Sequence, residues 1–212
     1  MKGLCGAQGV GKTTLAKTYA DKHGAIFVET SVSKIIRDFG HDPSKTDYDF
    51  KTRLDIQEEV LKQVDAIYDC VPAGVDAIAD RTPLDMLGYT MAEAIGENVL
   101  PEDQNRFAAY VQRCFDVTNK RFSAVVLLQP GIPLIPGRDG KAVANLAYME
   151  HLNSLILGLT VDPRLKTSHF YIQRHQLSVE ERLGALEGAA RRITMIAHQA
   201  LGEYMTAGGL LQ

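Results

Sequence analysis

The stretch Gly6-Ala7-Gln8-Gly9-Val10-Gly11-Lys12-Thr13 decides how this chain is read. It satisfies G-x-x-x-x-G-K-[ST], with an additional glycine at Gly9. Each residue type has a chemical reason to stand there. Glycines let the backbone curl until successive N–H groups point inward at anionic oxygens, an approach that a Cβ would obstruct. The Lys12 ammonium can reach terminal phosphates, and the Thr13 hydroxyl suits a hard divalent cation. Upstream, Lys2 to Gly6 reads as a short apolar strand. Downstream, Thr13 to Lys22 reads as a helix whose N-terminus turns a positive dipole end toward the anion. The expected phosphate-binding residues are therefore Gly6, Ala7, Gln8, Gly9, Val10, Gly11, Lys12, Thr13 and Thr14.

Working outward, strand and helix signals alternate. Strands are expected at Ala25–Glu29, Val75–Asp80, Ser123–Leu128 and His169–Gln173, the third of these being a continuous apolar run of the buried parallel type. Between them, helices are expected from Ser31 (as N-cap) to Phe39 and from Asp47 to Cys70. Further helices are expected at Pro83–Ile95, Glu102–Lys120 and Val143–Leu159, and from a Ser178–Glu181 capping box to about Met205. This alternation implies one α/β domain over residues 1–212, with a five-stranded parallel sheet covered by helices on both faces. The Pro/Gly-dense stretch from Pro130 to Gly140 sets a lid segment at 130–148.

Composition agrees with that frame and narrows the function classes. The 212 residues are 45% hydrophobic and 23% charged, enough apolar material for a core and too much for wholesale disorder. A net charge of −3 gives no global attraction to nucleic acid or to an anionic membrane surface. No apolar run is long enough to span a bilayer, and the opening residues lack a signal-peptide layout. Cys5, Cys70 and Cys114 are scattered without CxxC spacing, so neither a disulfide framework nor a zinc site is implied. The expectation is a cytoplasmic domain.

Ligands on parallel sheets bind beyond the carboxyl ends of the strands, so the residues just after each strand carry the chemistry. Asp80 is placed to serve Mg²⁺, as a metal-shell carboxylate beside Thr13, or to serve as a base. Arg81 beside it suits phosphate or substrate, and Glu29 suits an acceptor hydroxyl. Arg138 and Lys141 sit in the Pro/Gly loop, where closure would carry cations to a γ-phosphate. Arg106, Arg113 and Lys120, seven residues apart and with Arg121 alongside, form a cationic ridge on one helical face, read either as a solvated face or as a track for DNA. Asn119-Lys-Arg-Phe122 lacks the Asp of a guanine reader. Asp85-Met-Leu-Gly88 fits D-x-x-G only inside a helical pattern. Asp80 is followed by arginine rather than the second acid of motor ATPases.

Taken together, the N-terminal phosphate loop, the acidic end of the second strand, the segment Asp80-Arg81-Thr82-Pro83-Leu84-Asp85 and the late Arg-Asp-Gly loop resemble the small P-loop kinases. The resemblance points to the NadR-like nicotinamide riboside kinase branch and its phage-encoded nucleotide-kinase relatives. It implies a five-stranded parallel sheet and transfer of the γ-phosphate of ATP to a hydroxyl or phosphate. By position it implies Lys12 and Thr13 for ATP and Mg²⁺, Asp80 as metal-shell carboxylate or base, and Arg138 as a lid residue. Some phage relatives phosphorylate a hydroxymethylated pyrimidine within DNA, such as 5-hydroxymethyluracil. The acceptor expected is thus a nucleoside, a nucleotide or a modified pyrimidine, free or in DNA, and in the phage case the location is the host cytoplasm. The contrasting expectation is a nucleotide-dependent ATPase switch or binding module.

Overall fold

A computed structural model describes residues 1–45, 47–133 and 145–208, with the side chains of residue 97 and of residues 200–208 left aside. The chain order is β1 (Lys2–Cys5), α1 (Lys12–His23), β2 (Ile26–Val28), α2 (Val32–Asp38), α3 (Phe50–Asp69), β3 (Ala77–Ala79) and α4 (Pro83–Glu93). A short 3₁₀ turn (Gly96–Asn98) follows, then α5 (Pro101–Arg121), β4 (Ala124–Leu128), α6 (Leu146–Thr160), β5 (Ser168–Ile172) and α7 (Val179–Gly208). All strand pairs are parallel, in the order β2-β3-β1-β4-β5. This is the three-layer α/β architecture expected from the alternation.

Side-chain alternation divides the core between the two faces of the sheet. Leu4, Ile78, Val126 and Leu128 pack with Leu15 and Tyr19 of α1 and Leu183 and Leu186 of α7. Ala77, Ala79 and Val125 face the other way, onto Leu54, Leu61 and Val64 of α3, Leu84 and Leu87 of α4, and Phe115 of α5. Every residue of β4 is buried, as its unbroken apolar run requires. None of the described helices is long and apolar enough to cross a membrane.

Several boundaries shift for local reasons. The helix expected from Asp47 begins at Phe50, because the Asp49 carboxylate accepts from the Thr52 N–H at 2.7 Å and caps it. Ser31 occupies the N-cap position of α2 in a left-handed conformation (φ 46°), but its side chain makes no capping bond. The α6 helix starts at Leu146, capped by Asn145, so the expected 130–148 lid overlaps its first turn. Residues 134–144, with Arg138 and Lys141, lie outside the described residues. The capping box of α7 is present as read: Ser178 N–H donates to Glu181 Oε2 at 3.0 Å, and Glu181 N–H donates to Ser178 Oγ at 3.1 Å.

One consequence of the strand order positions the site. With β1 central between β3 and β4, its following loop emerges over the middle of the sheet's carboxyl edge, flanked by the ends of its neighbours.

Candidate active site

The loop after β1 turns on glycines that no other residue replaces. Gly6 has φ 142°, and a Cβ there would stand 2.5 Å from the Leu128 carbonyl oxygen; Gly11, the residue before α1, has φ 87°. The curled loop and the N-terminus of α1 therefore share one focus, as the motif requires.

Lys12 is 7% exposed, and its ammonium donates to the carbonyls of Gly6 (2.6 Å) and Ala7 (2.9 Å). Asp85, fully buried, stands 3.6 Å away. The Asp85 carboxylate accepts from Gly6 N–H at 3.0 Å. It also accepts from the N–H (3.0 Å) and hydroxyl (3.2 Å) of Thr82, closing the capping box of α4. One carboxylate thus joins the phosphate loop to the start of α4 and gives Lys12 its counter-charge. Burial pushes Lys12 down to about 8, with Asp85 opposing and Arg81 adding to the fall. Burial likewise raises Asp85, against the pull of Lys12 and Arg81.

Thr13 donates its hydroxyl to Asp80 Oδ2 at 3.0 Å. The other Asp80 oxygen receives the N–H (3.4 Å) and hydroxyl (3.3 Å) of Thr30, at the end of β2. The parallel register pairs Val28 with Ala79, so Glu29 and Asp80 leave adjacent strands at the same level. Asp80 is buried and held by three donors, whereas Glu29 is exposed. Arg81 lies among Asp85, Tyr89 and Asp80; burial opposes its charge, but these neighbours outweigh it and raise its pKa. The expected set is therefore brought together at one edge: Gly6 to Thr14, Glu29, Asp80 and Arg81. Arg138 falls outside the described residues.

Hard-cation chemistry fits this arrangement: a hydroxyl and a carboxylate oxygen meet beside a phosphate loop, the donor set that Mg²⁺ takes together with phosphate oxygens and water. Among the described residues no cluster of three or more His, Cys, Asp or Glu side chains forms a metal cage.

Two site residues escaped the sequence reading. Asp85 carried a signal, since Thr82-x-x-Asp85 has capping-box spacing, but its bond to Gly6 did not. Arg182, at the start of α7, is 2% exposed. It donates Nη1 to the Val10 carbonyl at 2.5 Å and Nε to the Gln176 carbonyl at 2.7 Å, tying the phosphate loop to the β5–α7 connection. No local pattern announces such a contact.

The cationic ridge is changed by its surroundings. Arg106 pairs with Asp55 and Glu58 at 2.5 Å each, and Arg121 pairs with Asp65 (2.6 Å) and with Asp69, all four acids on α3. The groove beside it, lined by Asp55, Glu58, Glu59, Arg106 and Arg113, mixes both signs. The helical spacing of the ridge is as read, but two of its four cations are already neutralised.

Comparison with known proteins agrees with the fold. The family model described as ATPase family associated with various cellular activities (AAA) matches residues 3–69 and stops before β3. The structure is similar to deoxyadenosine kinase from M. mycoides with bound dCTP (TM-score 0.63, 19% identity, covering 91% of this chain and 100% of that one). It is also similar to NadR protein in complex with NR (TM-score 0.58, 12% identity, covering 88% of this chain and 50% of that one), so it spans half of NadR. A search of curated proteins gave no match. The chain has the P-loop NTPase fold.

Proposed function

We propose that this chain is an ATP-dependent phosphotransferase that moves a γ-phosphate to a hydroxyl of a nucleoside-type acceptor. The observation that carries the reading is the division of labour between the two acids at the sheet edge. Asp80 is buried and committed to Thr13 and Thr30, while Glu29, one strand over, is exposed. An exposed carboxylate at the same edge as the metal-shell acid is placed to take the proton of an acceptor hydroxyl. The named activities of the fold neighbours run the same way.

In this reading the loop amides from Gly9 to Thr13 hold the phosphates, and Lys12 exchanges the Gly6 and Ala7 carbonyls for phosphate oxygens. The Thr13 hydroxyl and, through water, Asp80 would hold Mg²⁺, whose chemistry is to neutralise charge on the β- and γ-phosphates. Glu29 accepts the proton of the attacking hydroxyl. That oxygen bonds to the γ-phosphorus as the bond to the bridging oxygen breaks, and ADP leaves. Arg81 contributes positive charge to the transferred group.

ADP release followed with ATP and a panel of nucleosides, nucleotides and 5-hydroxymethyluracil DNA tests the reading. Acceptor-dependent release is expected, and in Glu29→Gln its kcat falls about 10²–10⁴-fold with ATP affinity kept. ADP release that no acceptor enhances would favour an ATPase switch. Strong preference for the DNA would favour the ridge as a DNA track.

The low Lys12 value gives a pH test. Phosphate beside Lys12 favours its charged form and raises its pKa again, so binding near pH 8 and above takes up a proton. Affinity for the nucleotide is then full below about 8 and falls above it, approaching roughly tenfold per pH unit. Calorimetric titration in two buffers of different ionisation enthalpy reads the proton directly. Equal apparent enthalpies at pH 8.5 would contradict it.

A further inference from the structure

The α4 helix is buried on nearly all sides: Leu84, Met86, Leu87, Thr90 and Ala92 pack inward. It nevertheless carries Asp85, Tyr89 and Glu93 at i, i+4 and i+8, a spacing that sets them in one stripe. The stripe runs about 12 Å along the helix, at 1.5 Å per residue. It begins at the phosphate loop, where Asp85 holds Gly6 and faces Lys12. Midway, the buried Tyr89 hydroxyl lies beside the Arg81 guanidinium and the Gln8 backbone. At its far end Glu93 is 34% exposed.

Two other helices border that open end. Arg53, in the first turn of α3, pairs with Glu93 at 3.7 Å and lies 5.9 Å from the Tyr48 ring centroid. Tyr148, in the first turn of α6, neighbours Glu93, Tyr89 and Arg53. Burial chiefly, and then Glu93 and Tyr89, push its hydroxyl up to about 12, so it stays a neutral donor. Exposure thus rises from Asp85 through Tyr89 to Glu93, away from the phosphate loop.

We infer that the groups bordering this stripe, Tyr89, Glu93, Tyr148 and Arg53, are the acceptor-binding site, and that it takes a neutral, hydroxylated molecule of the nucleoside class. The inference rests on the phosphotransferase reading and assigns its second substrate. Charge selects the class. The cations at the buried end, Lys12 and Arg81, serve the transferring phosphate. The open end balances Arg53 against Glu93, so a phosphorylated acceptor would press its charge against a carboxylate whose cation is already engaged. Ligand hydroxyls, in contrast, can donate to Glu93 and accept from the hydroxyl of the exposed Tyr148.

The test compares nucleosides with their monophosphates as acceptors, for the unsubstituted protein, Glu93→Gln and Tyr148→Phe. The nucleoside is expected to show kcat/KM at least about tenfold above its monophosphate. Each variant should raise the nucleoside KM about tenfold while the ATP KM stays within about twofold. Tyr148 is partly exposed, so Tyr148→Phe keeps the test open if Glu93→Gln folds poorly. Preference for the monophosphate, or an unchanged nucleoside KM in a folded variant, overturns the inference and leaves the phosphotransferase standing. Absence of acceptor-dependent ADP with any nucleoside or monophosphate overturns both.

Discussion

Lys12→Met is expected to keep the fold and to lose phosphoryl transfer by about 10³-fold or more. The substitution retains the length of the stem and removes only the charge. What it leaves behind is tolerable: Asp85 still accepts from Gly6 N–H and from both donors of Thr82. Among the described residues, however, no second ammonium stands at the site to take its place. Arg81 lies among Asp85, Tyr89 and Asp80, and Arg182 is anchored through Nη1 and Nε to the Val10 and Gln176 carbonyls, so neither occupies the position of the Lys12 ammonium. Initial rates at saturating acceptor, with circular dichroism as the check on folding, measure the effect. Near-normal turnover in a folded variant would remove the chemical basis of the proposed function.

Asp85→Ala is expected to cost stability more than any other single change at the site. Its carboxylate is fully buried, closes three hydrogen bonds and stands 3.6 Å from a buried ammonium. Truncation leaves the Gly6 N–H, the Thr82 N–H and the Lys12 charge without it, a loss of about 3–5 kcal/mol for a broken buried pair. In a domain of this size that is a fall of roughly 6–20 °C in Tm. Asp85→Asn retains one acceptor oxygen and should fall between. Adding Lys12→Met to Asp85→Asn should return part of the loss, because the uncompensated ammonium goes with it. Denaturant unfolding of the four proteins closes that cycle. Strict additivity would mean that the two groups do not interact.

The layered fold was legible because its signals are local and repeated. The apolar run of β4, the capping box of α7 and the loop after β1 are each written within a few residues. The phosphate loop was legible for a sharper reason: cradling phosphate fixes both residue type and spacing at once. Asp80 and Glu29 followed from the rule that chemistry gathers at strand ends, whereas the Thr30 bonds that help hold Asp80 came only with the neighbouring strand in place. What stayed hidden depends on partners distant in sequence. Arg182 meets Val10 across 172 positions, and no period or motif links them. The ridge has partners of the same kind: its seven-residue spacing is local, but the acids that pair with Arg106 and Arg121 come from α3, 48 positions away for Arg106 and Glu58. The Asp85-Tyr89-Glu93 stripe is also invisible until α3 and α6 close around it, since its spacing alone suits any amphipathic helix.

The claim at the centre is that the γ-phosphate leaves the P-loop for a hydroxyl and not for water. Incubation with γ-labelled ATP, Mg²⁺ and a nucleoside mixture, followed by separation of the products, tests it most directly. Label recovered in a nucleoside monophosphate, and absent when Lys12→Met replaces the unsubstituted protein, is the predicted result. Label recovered solely as inorganic phosphate, at the same rate with and without nucleosides, would contradict it.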